Sequence, residues 1–330
     1  MTVLVTGAAG YVGSVTVDLL LERGVAVVGL DDLSRGHCEA VAPSVPFYQG
    51  EAGDAVLVRR IVATHAIDAC MHFAGLSIVS ESLTQPVRYL AQNVAQALSL
   101  VQTLHAAGVG RLVFSSSAAV YGEPAEIPIP ERHPLAPTHP YGASKRLVES
   151  VLEYMERSCG MRYVSLRYFN AAGATMTRGE DHDPETHLIP LVLRAAAGEA
   201  DHVPLFGDDY GTPDGTAIRD YVHVSDLAEG HVRALELLRG SGESIPLNLG
   251  SGVGRSVREV IAVAETVTRR PIPVVVRPRR DGDPSRLVAD VSQAGRVLGW
   301  APKKSALDQI IASAWEWRLR NPSGYHTRAA

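Results

Sequence analysis

Apolar and polar positions follow two rhythms along the first part of the chain. The short apolar runs "TVLVTG" (2–7) and "VAVVGLDD" (25–32) flank a stretch at 11–23 whose apolar residues recur with helical spacing. Gly24 follows that stretch, where a helix C-terminus favours glycine. The alternation then repeats: "DACMHFAG" (68–75) precedes a long helical pattern over 86–107, and Gly108 and the run "RLVFSSS" (111–117) follow. Strands alternating with helices imply parallel βαβ units, and so an α/β fold with a doubly wound parallel sheet. From about residue 169 the pattern changes to shorter strands and loops. Six prolines at 124, 128, 130, 134, 137 and 140 suggest a rigid loop. Ser256 and Glu259 have capping-box spacing at the head of an amphipathic stretch. A final helical pattern over 305–320 carries Trp315 and Trp317, which read as core or rim.

Composition narrows the class. The 330 residues are enough for one large domain or two smaller ones, and 46% hydrophobic with 20% charged residues is too apolar for disorder. A formal charge of −5 gives no global attraction to nucleic acid or an anionic membrane. Three cysteines, Cys38, Cys70 and Cys159, have no metal-ligand spacing and fit a reducing cytosol. No apolar run approaches the ~20 residues of a membrane span. The start "MTVLVTG" carries no signal-peptide pattern. The twelve histidines include no HExxH-like pair, so no metal is expected.

The first strand-to-helix turn reads "TGAAGYVG", with Gly7, Gly10 and Gly13 spaced GxxGxxG. Small residues there allow a tight turn and let backbone N–H groups approach an anion, with the helix dipole behind them. This is the turn of a Rossmann-like dinucleotide site. Asp31 closes the second strand, where a carboxylate accepts both ribose hydroxyls and repels a 2′-phosphate, favouring NAD over NADP. Arg35, close by, works against that preference. In "HPYGASK", Tyr141 and Lys145 are four apart and share a helix face. Alone, such a pair equally suits the polar rim of a helix. Ser117, at the end of 111–117, adds a hydroxyl on the same sheet edge.

With these phrases the chain resembles the extended short-chain dehydrogenase/reductase superfamily, and within it the UDP-glucose 4-epimerase (UDP-galactose 4-epimerase) family. The resemblance runs nearly end to end through "TGAAGYVG", "HFAG", "SSSAAVYG", "PYGASK", "LRYFNAAGA", "FGDDYGTPDGTAIRDYVHVSDLAEGHV", "NLGSGVG" and "PRRDGDPSRLVAD". It implies an NAD-binding Rossmann domain over 1–170 and a smaller mixed α/β domain over 171–330, mainly for the UDP-sugar, with the chain crossing between them. It implies Tyr141, Ser117 and Lys145 as catalytic residues. A neighbouring ammonium and the cationic nicotinamide would bring the Tyr141 phenol down from its ordinary ~10. For NAD it implies Gly7, Gly10, Tyr11, Val12, Gly13, Asp31, Asp32, Glu51, Ala52, Phe73, Ala74, Gly75, Gln92 and Phe169, together with the catalytic trio. For the UDP-sugar it implies Asn170, His187, Leu188, Arg219, Arg280, Asp283 and Leu287, beside Ser117 and Tyr141.

The family's reaction interconverts UDP-galactose and UDP-glucose through a 4-keto sugar, an isomerase step of galactose metabolism. Related dehydratases carry an acidic pair where this chain has Ala118 and Ala119. The chain also departs from the family. Ser77 replaces a lysine, Glu51 an aspartate and Gln92 an asparagine, so a weaker grip on NAD is expected; His187 replaces an asparagine on the substrate side, where backbone contacts can survive the change. Leu287 favours a plain hexose, with UDP-N-acetylhexosamine or a UDP-pentose as alternatives. A non-catalytic NAD or nucleotide-sugar sensor is the reading from another class. A cytoplasmic homodimer is implied, through helices around 90–107 and 141–158.

Overall fold

Strands and helices alternate as the pattern expects. In the computed structural model, which describes residues 1–240, 242–280 and 282–325, the chain begins with β1 (Thr2–Thr6), α1 (Tyr11–Glu22), β2 (Ala26–Asp31), β3 (Phe47–Gln49), α2 (Ala55–His65) and β4 (Ile67–His72). It continues through α3 (Val79–Thr84), α4 (Pro86–Tyr89), α5 (Gln96–Ala106), β5 (Arg111–Ser117), α6 (Pro140–Cys159) and β6 (Arg162–Tyr168). The later part adds β7 (Asn170–Ala172), α7 (Leu188–Ala197), β8 (Val203–Phe206), β9 (Ile218–His223), α8 (Val224–Arg239) and β10 (Ile245–Leu249). It ends with β11 (Gly254–Ser256), α9 (Val257–Thr268), β12 (Val274–Arg277), β13 (Arg286–Leu287), α10 (Ser292–Leu298) and α11 (Leu307–Arg320). The last positions of the expected second domain, 326–330, lie outside the described residues.

Seven strands form one parallel sheet in the order β10-β6-β5-β4-β1-β2-β3. Successive side chains of a strand point to opposite faces. Val3 and Val5 of β1 therefore pack with Val17, Leu20, Leu227 and Leu235 of α1 and α8. Leu4 packs on the other face with Val58, Ile61, Leu100, Leu104 and Leu152 of α2, α5 and α6. Burying both faces is what makes the strands read as continuous apolar runs. Beyond residue 170, α8 and β10 return to complete this sheet. A separate core joins α7, α9 and α11 around Val192, Val260, Ile310 and Trp315. Beside it β11, β9 and β13 pair in that order, β7 adds to β9, and β12 pairs with β8.

The helical pattern over 86–107 is not one regular helix. Between α4 and α5, Leu90–Ala95 takes the wider π form. The buried Asn93 sits in this segment. Its Oδ1 accepts from Leu76 N at 2.7 Å, and its Nδ2 donates to Leu76 O at 2.9 Å and to Ser144 Oγ at 3.0 Å. A polar side chain that recruits distant partners can shift the local helix register, and π turns concentrate at such places. Among the described residues, no helix is long and apolar enough to cross a membrane.

Strand order reverses between β1 and β4, and in open parallel sheets the crevice beyond the carboxyl ends at that point takes ligands.

Candidate active site

A cavity of about 1000 Å³ opens at that crevice, between the large sheet and the second core. Every site residue expected from the sequence lines it, from Gly7 in the first turn to Leu287 in β13.

The first turn is glycine for steric reasons. Gly7 has φ +74°, and a Cβ there would lie 2.5 Å from Ala74 N; a Cβ on Gly13 would overlap the carbonyl of Gly7. These close approaches hold β1, α1 and the loop after β4 together, bringing Phe73, Ala74 and Gly75 to the same wall. The N-terminus of α1 has no side-chain cap. Backbone N–H groups near Tyr11, Val12 and Gly13 therefore offer an anion site backed by the helix dipole. The turn thus fits a dinucleotide pyrophosphate.

At the end of β2, Asp31 is buried, with Oδ2 accepting from Ala9 N at 3.0 Å and Oδ1 from Leu33 N at 2.9 Å. Burial raises its pKa and the two backbone bonds pull it back. Arg35 donates to both oxygens of Glu81, at 3.0 and 3.3 Å, and to the Asp183 carbonyl. Its charge is thereby committed, which removes the objection it raised to an NAD-type ribose site. Asp32 Oδ1 accepts from Ser34 N at 2.8 Å. Glu51 accepts from Gln96 Nε2 at 2.7 Å, and Gln96 Oε1 accepts from Gly53 N at 2.6 Å. This clamp holds Glu51 beside Ala52 at the cavity edge, and Gln92 lines the same wall.

Deeper in, α6 presents Tyr141 and Lys145, both nearly buried, opposite Ser117 at the end of β5. Lys145 Nζ donates to Ser115 O at 2.9 Å and lies 5.9 Å from the centre of the Tyr141 ring. The expected lowering of the phenol is not present in the protein by itself. Burial raises the Tyr141 pKa, and only the hydrogen bond with Ser117 opposes it. Lys145 is pushed down to about 8 by burial. Desolvation penalises the charged form of each group. His139, which the sequence reading did not single out, caps α6 by accepting from Gly142 N at 3.2 Å. Its ring lies parallel to that of Tyr141 with centroids 6.0 Å apart.

The far wall carries Phe169 and Asn170, then Arg219 of β9 and Leu287 of β13. Arg219 and Asp283 are ion-paired with each other, while the Arg280 guanidinium stacks over Phe206 at 4.0 Å. Phe206 was also missed, because a lone aromatic in a short strand carries no sequence signal. His187 occupies the N-cap position of α7 beside Leu188 without a side-chain cap, and its imidazole meets Glu180 and Glu185. Ala118 and Ala119, which follow Ser117, line the cavity.

The NAD dependent epimerase/dehydratase family model matches residues 3–250. A UDP-glucose 4-epimerase of Halalkalibacterium halodurans is 48% identical over 329 residues, covering 99% of this chain and 98% of that protein. The structure of UDP-glucose 4-epimerase from Brucella ovis in complex with NAD superposes with a TM-score of 0.93 at 44% identity, covering 96% of this chain and 97% of that one. The enzyme from Bifidobacterium longum in complex with NAD+ and UDP gives 0.94 at 39% identity, covering 98% and 100%. Matched along nearly its whole length, the chain belongs to the NAD dependent epimerase/dehydratase family, and within it to the UDP-glucose 4-epimerases.

Proposed function

We propose that this chain is an isomerase that interconverts UDP-galactose and UDP-glucose using bound NAD. The observation that carries this reading is the meeting of Ser117, Tyr141 and Lys145 in one cavity with both a glycine-rich anion turn and the cationic wall of Arg219 and Arg280. Residues 1–170 chiefly bind NAD and 171–330 chiefly the UDP-sugar.

The first turn, from Gly7 to Gly13, holds the pyrophosphate on the start of α1. Asp31 and Asp32 take the adenosine ribose. Glu51, Ala52 and Gln92 border the adenosine side, and Phe73, Ala74, Gly75 and Phe169 line the rest of the channel. When bound, NAD supplies the acceptor that takes the hydride from C4 of the sugar and gives it back. Tyr141 accepts the C4 hydroxyl proton at its phenol oxygen and later returns it to the keto oxygen. The Ser117 hydroxyl bonds to the same oxygen and holds it in line. Lys145 orients the cofactor ribose and adds positive charge near the phenol. Since burial raises the phenol in the protein alone, the added charge of the oxidised cofactor is what favours proton removal. With alanines at 118 and 119 there is no acid for eliminating water, which separates this site from a dehydratase.

Arg219 and Arg280 bind the diphosphate by charge-assisted hydrogen bonds, Asp283 the uridine ribose, and Asn170 the diphosphate region. The existing Arg219–Asp283 pair pre-positions both groups for this exchange. His187 and Leu188 contribute through the backbone at the start of α7. Leu287 borders the sugar, where a bulky residue favours the plain hexose and a small one admits N-acetyl sugars; leucine is intermediate, and the plain hexose is the favoured substrate.

We further infer a homodimer. Leu83, Val87, Leu90 and Leu98 from the 79–106 helices, with Leu147 and Tyr154 of α6, are exposed large apolar side chains on neighbouring elements. Pairing this face with a second copy would bury them.

The test of function is to incubate the purified protein with UDP-galactose and no added cofactor, then separate the nucleotide sugars. Formation of UDP-glucose supports the reading and a carried NAD. Silence that persists with added NAD would refute it.

A further inference from the structure

The irregular segment between β7 and α7 gathers Glu180, His182, Glu185 and His187, whose ligand atoms all lie within 4.8 Å of one another. His187 Nδ1 is 2.7 Å from Glu180 Oε1 and 2.9 Å from Glu185 Oε1. His182 Nδ1 is 3.3 Å from the same Glu180 oxygen. Both carboxylates are withdrawn from water, with side chains 8% and 5% exposed.

Protons alone serve this cluster poorly. An imidazole Nδ1 carries at most one hydrogen, yet two carboxylate oxygens crowd that of His187. His182 Nδ1 is buried without a well-aligned hydrogen bond. Among the described residues no lysine or arginine pairs with Glu180 or Glu185; their ion pairs are with these two histidines. Asp181, between them in sequence, faces the other way and accepts from Tyr325 N at 2.8 Å. The two buried carboxylates thus rely on these imidazoles for positive charge, and a bound cation would supply it directly.

We propose that Glu180, His182, Glu185 and His187 bind one divalent transition-metal ion of the zinc class. Two imidazoles with two carboxylates suit zinc or its neighbours, whereas calcium and magnesium prefer oxygen alone. A tetrahedral ion with bonds of about 2.0–2.2 Å holds its ligands about 3.3–3.6 Å apart. The two shortest contacts would open and the widest would close. Thr186 N and His187 N donate to Glu185 Oε1 at 2.6 and 2.7 Å, orienting it as outer-shell partners orient metal ligands. The ExHxxExH spacing over 180–187 lies on irregular backbone and matches no helical HExxH pattern, so it carries no standard metal signal in the sequence.

The ion's role is a cross-link. It ties together residues 180–187, the part of this segment that borders the cavity and leads directly into α7. Tyr11 of the dinucleotide turn anchors the start of that segment through a 2.5 Å hydrogen bond to Gly173 O.

The test uses the full, untagged chain, stripped with chelator and dialysed. Co²⁺ is titrated while visible absorbance is followed, and Zn²⁺ is then added. We expect one Co²⁺ per chain with the intense bands of a tetrahedral site, displaced by Zn²⁺. His182→Ala and Glu185→Gln should each weaken binding by more than the roughly 10–100-fold cost of losing an outer-shell partner. Circular dichroism checks that each variant is folded, and the near-isosteric Glu185→Gln carries the test if the alanine variant is not. Absence of saturable binding in the natural chain would overturn the proposal, as would stoichiometric binding unchanged in both variants.

Discussion

At the scale of single residues, the account rests on Tyr141 and its two neighbours. Tyr141→Phe removes one oxygen from a packed ring, so the fold should survive while kcat falls by about 10²–10⁴-fold, the usual worth of a positioned acid–base group. Steady-state kinetics on UDP-galactose, with KM little changed, would check this. The pH profile separates the role of Lys145. Tyr141 must lose its proton to act as base, so kcat/KM should rise with pH through the phenol's titration. An ammonium nearby favours the phenolate, so Lys145→Met should move that limb to higher pH by about one unit. A limb that stays in place would mean that Lys145 serves only the cofactor. That the trio meets in one cavity was legible because each residue sits in a motif at a strand end or helix start. The direction of the phenol's shift was not. Burial, invisible in sequence, raises the phenol in the protein alone, before the charge of the cofactor is added.

At the scale of elements, the π turn at Leu90–Ala95 connects the loop after β4 to α6 through Asn93. Ser144 Oγ also donates to Tyr141 O at 2.7 Å, so this side chain braces the start of α6. Asn93→Ala leaves a buried N–H and a buried carbonyl at Leu76 without their partner. It should cost about 1–3 kcal/mol in a denaturant titration and also lower kcat. A second brace is the buried pair of Glu149 on α6 and Arg167 on β6, with contacts of 2.9 and 2.7 Å. Glu149→Gln should cost about 3–5 kcal/mol, because it strands a buried guanidinium. The alternation of strands and helices up to β6 was readable from periodicity, since runs buried on both faces look alike in any parallel sheet. The π turn was not, because the hydrophobic spacing over 86–107 remains compatible with an ordinary helix. Its cause is one polar side chain bonded to residues far away in sequence.

At the scale of the whole molecule, the sheet order places the glycine-rich turn, the start of α6 and the arginines of the far wall around one cavity. The return of α8 and β10 to the first sheet was expected only in outline, and the pairing among β7, β9, β11 and β13 not at all. Two- and three-residue strands leave almost no period to read. The exposed apolar face of α4, α5 and α6 predicts a dimer that Leu147→Glu weakens, measurable as a fall in mass by light scattering at equal concentration. The most direct test of the central claim, that hydrogen leaves C4 and returns to it inside one closed site, follows the label. UDP-galactose carrying deuterium at C4 is converted in ordinary water and the product examined by NMR. The account predicts UDP-glucose with deuterium kept at C4. Product with hydrogen from water at C4, or no UDP-glucose even with added NAD, would contradict it.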